Sequence, residues 1–217
     1  MRVDNRVEIA EAVTDTIEGS MIEALISNGP PICPNMTDAE FRRTVLTLRD
    51  SAVKMIDVRL ADLSKWGTVE RERVVMWFGS SDEAIRQRLS VGLSAVSRVM
   101  HDLKPGNFVR QSERLDRYLG CTPNNKNPDG VVAHVCGPDT ATHTICIHEN
   151  FCEMRAVSSA KDSMLSTLIH ECTHFVDTFG SHDHRYSMRE CLTFAKTHPE
   201  LAIDNADSIA GYVVYEN

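Results

Sequence analysis

Residues 165–180 read Leu165-Ser166-Thr167-Leu168-Ile169-His170-Glu171-Cys172-Thr173-His174-Phe175-Val176-Asp177-Thr178-Phe179-Gly180. Leu165, Leu168, Ile169, Cys172, Phe175, Val176 and Phe179 recur at three- and four-residue steps, the apolar face of an α-helix. The spacing predicts a helix over 158–179, with Gly180 where a left-handed C-terminal cap belongs. On such a helix His170 and His174 lie one turn apart and about 40° apart around the axis. Two imidazoles so placed can reach one cation. Glu171 flanks the same face, close enough to serve a water beside that cation without ligating it. Cys172 points to the opposite, apolar side and reads as a core thiol.

Working outward, the stretch from Thr122 to Gly130 is rich in Asn, Pro, Asp and Gly and reads as a loop. Two β-branched runs, 131–136 and 143–148, follow it on either side of Gly137-Pro138-Asp139 and read as strands of a small sheet. His134, His143 and His148 fall on those strands, where structural or exposed roles are expected. Downstream a helix is expected over 186–197, ending before Pro199. Upstream the first hundred residues read as helical. Val13, Ile17 and Met21 stand at four-residue spacing before the breaker Gly29-Pro30-Pro31. Thr37 and Glu40 form a capping box ahead of the stripe Phe41, Val45, Leu48, Ala52, Met55, Ile56 and Leu63. Ser80, boxed by Glu83, opens a further stripe of Ile85, Leu89, Leu93, Val96, Met100 and Leu103, closed by Pro105-Gly106. The expected architecture is α+β, with an N-terminal helical region over 1–66 and a second region over 67–217.

The 217-residue length suits one domain or one domain with a helical extension. A net charge of −8 argues against a nucleic-acid surface, which needs a clustered positive field. No apolar run approaches the roughly 20 residues of a membrane span, and the N-terminus lacks the apolar core of a signal peptide. The seven cysteines form no C-x-x-C pair, and their odd number leaves at least one thiol free or bonded between chains.

A catalytic metal needs a third protein ligand and an open position. A third histidine six residues past His174 is absent, because Gly180 stands there. Glu190 on the following helix is one candidate. Asp183 is another, since a turn at Gly180 would fold the chain back toward the two histidines. His182 and His184 flank Asp183 and are expected at the surface. Ser181, His182 and Asp183 are contiguous, so they cannot converge as a serine triad. Cys33, in Pro31-Ile32-Cys33-Pro34, reads as part of an ordinary proline-rich loop rather than as a metal-blocking thiol.

The segment from His170 to Tyr186 resembles the aspzincins, metallopeptidases in which a helical H-E-x-x-H is followed by G-T-x-D-x-x-Y-G. It is most similar to their peptidyl-Lys metalloendopeptidase branch. Here the second motif is Gly180-Ser181-His182-Asp183-His184-Arg185-Tyr186-Ser187. Ser181 keeps the hydroxyl of the usual Thr, whereas Ser187 departs from the last Gly. Trp77-Phe78-Gly79, the run from Cys191 to Ala195, and Asn205-Ala206-Asp207-Ser208 resemble the same branch, so the likeness spans 77–217. The resemblance implies a zincin-like catalytic domain over 67–217 and one zinc ion per chain on His170, His174 and Asp183. It implies Glu171 as general base, Tyr186 as donor to the developing oxyanion, a polypeptide substrate and a secreted protein. It further implies that Asp207 lines the pocket for a lysine after the scissile bond, with Ala210 where the branch places a second acidic residue. Two other readings stand beside it: a helical binding or adaptor protein with an incidental or structural metal site, and a metal hydrolase acting on something other than peptides. The oligomeric state is left open.

Overall fold

The computed structural model describes residues 30–121 and 130–216, together with the backbone of three short strands nearer the N-terminus. Those strands, β1 (Val7–Ile9), β2 (Ala12–Thr14) and β3 (Ile26–Ser27), form an antiparallel meander. Val13 is therefore extended, opposite Glu8 and Ile26, and not helical as its spacing suggested. Ala12-Val13-Thr14 carries two β-branched residues in a row, which favours a strand over a helix. Ile17 and Met21 lie outside the described residues.

Helix α1 (Asp38–Lys65) starts at the expected capping box: Thr37 accepts from the Glu40 amide at 3.2 Å, and Glu40 accepts from the Thr37 amide at 2.9 Å. It buries Phe41, Val45, Leu48, Ala52, Ile56 and Leu63 along α3 (Glu83–Asp102), which buries Leu89, Leu93, Val96 and Met100 in return. The cap of α3 is Asp82 rather than Ser80, because the carboxylate accepts from the Ile85 amide at 2.9 Å. Ser80 instead donates to Asp82 at 3.0 Å. Between them α2 (Thr68–Phe78) contributes the fully buried Trp77 and Phe78.

A three-stranded sheet has β6 (Ile145–Ile147) at its centre, parallel to β4 (Phe108–Arg110) and antiparallel to the edge strand β5 (Ala133–Val135). Two short helices, α4 (Glu113–Leu119) and α5 (Glu149–Cys152), follow β4 and β6. Helix α6 (Met164–His174), capped by Ser163, packs against α1, α3, β5 and α9. It is shorter at both ends than its apolar spacing predicted. Phe175 is already extended, and the Thr178 hydroxyl donates to the carbonyls of Cys172 and Phe175 at 2.7 and 2.8 Å, closing the helix end. The chain finishes in α7 (Met188–Thr197), α8 (Pro199–Ala202) and α9 (Ala206–Val214). Gly211 lets α9 lie directly on Trp77, since a Cβ there would fall 2.3 Å from the indole.

Disulfides join Cys33 to Cys152, across 119 residues, and Cys121 to Cys136, across 15. The first fastens the segment before α1 to α5 and commits the Cys33 sulfur to a structural bond. Cys146, Cys172 and Cys191 are free and buried. Among the described residues no helix is long and apolar enough to cross a membrane.

Candidate active site

His170 and His174 project from one face of α6, and each has its Nδ1 engaged. His170 Nδ1 donates to Asp207 Oδ1 at 2.6 Å, and His174 Nδ1 donates to the Ser181 carbonyl at 2.8 Å. In the neutral ring a donating Nδ1 leaves Nε2 with a free lone pair, so both Nε2 atoms can ligate a cation once their protons are displaced. They face each other at 3.1 Å, and each lies 3.3 Å from Asp183 Oδ1.

Asp183 reaches this point because the chain reverses after α6. Gly180 takes φ +58°, a left-handed value that favours glycine. The Ser181 amide then donates to the Thr173 carbonyl at 3.0 Å, and the Ser181 hydroxyl meets that of Thr173 at 2.7 Å. The buried Asn205 holds the far side of the loop, its Oδ1 accepting from the amides of His184 and Arg185 at 2.9 and 2.8 Å. Asp207 completes the frame: Oδ2 accepts from the Ser187 amide at 2.7 Å. Ser187 sits at φ +66°, the position where the motif departs from glycine, and that hydrogen bond helps to hold a backbone a side chain disfavours.

The electrostatics center on the same groups. Burial alone would lower the His170 imidazole, but the Asp207 and Asp183 carboxylates outweigh it and raise its pKa well above 6.5. His174 is raised likewise, with Asp183 outweighing burial. Burial would raise Asp183, yet its hydrogen bonds to both histidines hold it well below the usual carboxylate range. Glu171, only 3% exposed, is raised by burial. Tyr186 is 60% exposed; burial of its hydroxyl and the nearby carboxylates, Asp183 first among them, raise the phenol, which stays a proton donor at neutral pH.

The donor set fits a small divalent cation. Ligands on bonds of roughly 2.0–2.1 Å in a tetrahedron stand about 3.3 Å apart. The three edges measured here are 3.1, 3.3 and 3.3 Å, from two imidazoles and one carboxylate. Surrounding carboxylates draw protons onto both rings, so the center favours a positive charge. Glu190 is exposed on α7 and is not among the converging donors. His182 and His184 turn to Asp204 instead. His134, on β5, pairs with Asp116 and His148 at 2.8 Å each; His148 and His143 lie outside β6 rather than on a strand, and His143 pairs with Asp177 at 3.1 Å. Asp207, expected in a substrate pocket, spends both oxygens on His170 and Ser187. Its partnership with His170 carries no local signal, because it depends on how α9 packs on α6. Asp162 is a further, partly buried carboxylate beside this frame. It lies near Asp207, and burial together with that carboxylate raises its pKa.

A family model for the aspzincins, described as lysine-specific metallo-endopeptidase, matches residues 65–214. The chain belongs to the aspzincins. It is 47% identical over 47 residues to a peptidyl-Lys metalloendopeptidase of Pleurotus ostreatus, a match spanning 22% of this chain and 28% of that relative's length. Its fold is similar to that of a zinc peptidase from Grifola frondosa, with TM-score 0.62 and 19% identity over 81% of this chain and 94% of the other. Within the aspzincin motif, the hydroxyl kept at Ser181 meets Thr173, and the serine at 187 adopts the positive φ that the family's glycine would take freely.

Proposed function

We propose that this aspzincin is a zinc-dependent metalloendopeptidase that holds one zinc ion per chain on His170 Nε2, His174 Nε2 and Asp183 Oδ1. The observation that carries the reading is the triangle of donor atoms with edges of 3.1, 3.3 and 3.3 Å, with each imidazole engaged by an oxygen at Nδ1. Bound there, zinc supplies a Lewis acid that acidifies a water and polarises the scissile carbonyl. Glu171, next to His170 and raised by burial, takes the proton from the attacking water and passes it to the leaving amine. Tyr186, protonated and near Asp183, donates a hydrogen bond as negative charge builds on the carbonyl oxygen.

The substrate is a polypeptide, and a preference for lysine after the scissile bond is favoured by the family's description and by the acidity beside His170. Ala210 offers no second carboxylate, but Asp162 lies near Asp207; burial and that neighbouring carboxylate raise its pKa, and a lysine ammonium would favour its charged form. Because Asp207 also orients His170, the preference is expected to be weaker than a dedicated pocket would give. Two disulfides favour an oxidising, extracellular setting. No nucleic-acid or membrane partner is proposed.

The test is cleavage of an unfolded protein, with metal content measured alongside. A chelator should abolish cleavage and zinc should restore it. Glu171→Gln should lower cleavage by about 10²–10⁴-fold while keeping the metal. Metal loss in that variant, or cleavage indifferent to the chelator, would overturn the proposal.

A further inference from the structure

The loop that carries Asp183 presents a second group of donors on its other side. His182 Nδ1 and His184 Nε2 both point at a single oxygen, Asp204 Oδ2, at 2.9 and 3.0 Å. One ligand atom from each of the three residues lies within 4.8 Å of the others. The donor set, two imidazoles and one carboxylate oxygen, is the same as in the His170, His174 and Asp183 cluster. Such a set suits zinc and similar borderline cations and is poor for magnesium or calcium, which prefer oxygen shells.

The scaffold is built before any ion arrives. The His182 amide donates to the Asp204 carbonyl at 2.8 Å, and the Ala206 amide returns the bond to the His182 carbonyl at 3.0 Å, so the two segments run as a parallel bridge. The His184 amide is held by Asn205, and its ring stacks on Phe194 at 6.4 Å. Arg88 binds the other Asp204 oxygen at 2.8 Å. This fixes the carboxylate and leaves Oδ2 as its only free donor toward the histidines. The nearby guanidinium charge makes this the weaker of the two centers. With His182 71% and His184 28% exposed, solvent can fill the remaining coordination positions.

We propose that His182, His184 and Asp204 form a second, surface site for a zinc-class divalent cation, separate from the center on α6. Its filling would tie both neighbours of Asp183 to the start of α9, bracing the loop that carries Asp183.

The experiment adds zinc to protein already carrying its tightly held ion and counts bound metal by equilibrium dialysis and elemental analysis. Cobalt in place of zinc gives a visible spectrum as a second readout. The expected result is a further equivalent of zinc at higher free-metal concentration, unaffected by excess magnesium or calcium. That equivalent should disappear in the His182→Ala, His184→Ala double variant, which keeps the first ion and, because both side chains are at the surface, the fold. Asp204→Asn should weaken it by at least about tenfold. His170→Ala, which damages the other center, should leave it in place, so failure of the peptidase reading and failure of this one are told apart. No second equivalent in the wild type, one that persists in the double variant, or one displaced by magnesium would overturn the proposal.

Discussion

Asp207 shows how far one carboxylate can reach. It holds His170 Nδ1 through one oxygen and the strained Ser187 amide through the other. Asp207→Asn keeps the shape but lets the amide oxygen meet only one of those donors, and it removes the charge. Zinc affinity should fall about 10–100-fold, as is usual when a ligand histidine loses its outer partner, and isothermal titration would read it. Any enrichment of lysine after the cut should fall in the same variant. An unchanged affinity would reduce Asp207 to a pocket residue. Tyr186→Phe makes a different demand, since the hydroxyl acts on the transition state. Turnover should drop about 10²-fold with zinc content unchanged, and an unaffected rate would demote the side chain to packing. His170, Glu171 and His174 were legible in the sequence because their geometry is set within one helical turn. Asp183 was legible as one of two candidates, and resemblance chose between them. The Asp207–His170 bond spans 37 positions, and nothing local announces it.

Between helices, the site depends on how closely α9 approaches α6 and α2. Gly211 permits that approach, one turn beyond Asp207, with Trp77 pressed against it. In a free helix Gly→Ala gains up to about 1 kcal/mol. Here the new Cβ would meet a buried, rigid indole at 2.3 Å, and overpacking of about 1–3 kcal/mol opposes the gain. Gly211→Ala should therefore lower the melting temperature. Because α9 must shift to relieve the clash, it should also weaken zinc through Asp207. A variant that melts higher with unchanged zinc affinity would show that the contact is slack. Elements with strong local chemistry were readable: the Thr37–Glu40 box, the α1 and α3 stripes and the β5–β6 pair all stand near their expected places. The end of α6 was not, since its apolar spacing continues through Phe179 while Thr178 takes the last carbonyls. Val13 shows the opposite failure, a helical interval occupied by a strand.

Over the whole molecule, pH should act in opposite directions on the metal-free and zinc-loaded forms. In the metal-free protein the His170 and His174 pKa values are raised above 6.5. That stabilisation is fully present below the unfolded value and is lost as pH rises through the folded ones. Glu171, raised by burial, acts in the same direction, whereas His148, lowered by burial, acts against it. Zinc requires neutral imidazoles, so the loaded form loses its ion, and with it stability, as pH falls. Denaturant midpoints should rise for the metal-free protein and fall for the loaded one between about pH 8 and pH 6. Parallel slopes would mean that the two histidines do not control stability.

The bridge from Cys33 to Cys152 also changes what a proteolytic nick can do. A single cut anywhere from residue 34 to residue 151 would leave two pieces still covalently joined. Such a nicked chain would run as one species on a non-reducing gel and as two after reduction. Helix α1 could therefore not leave as a free fragment after one cut within that span. Its departure would require a second cut or a reductant.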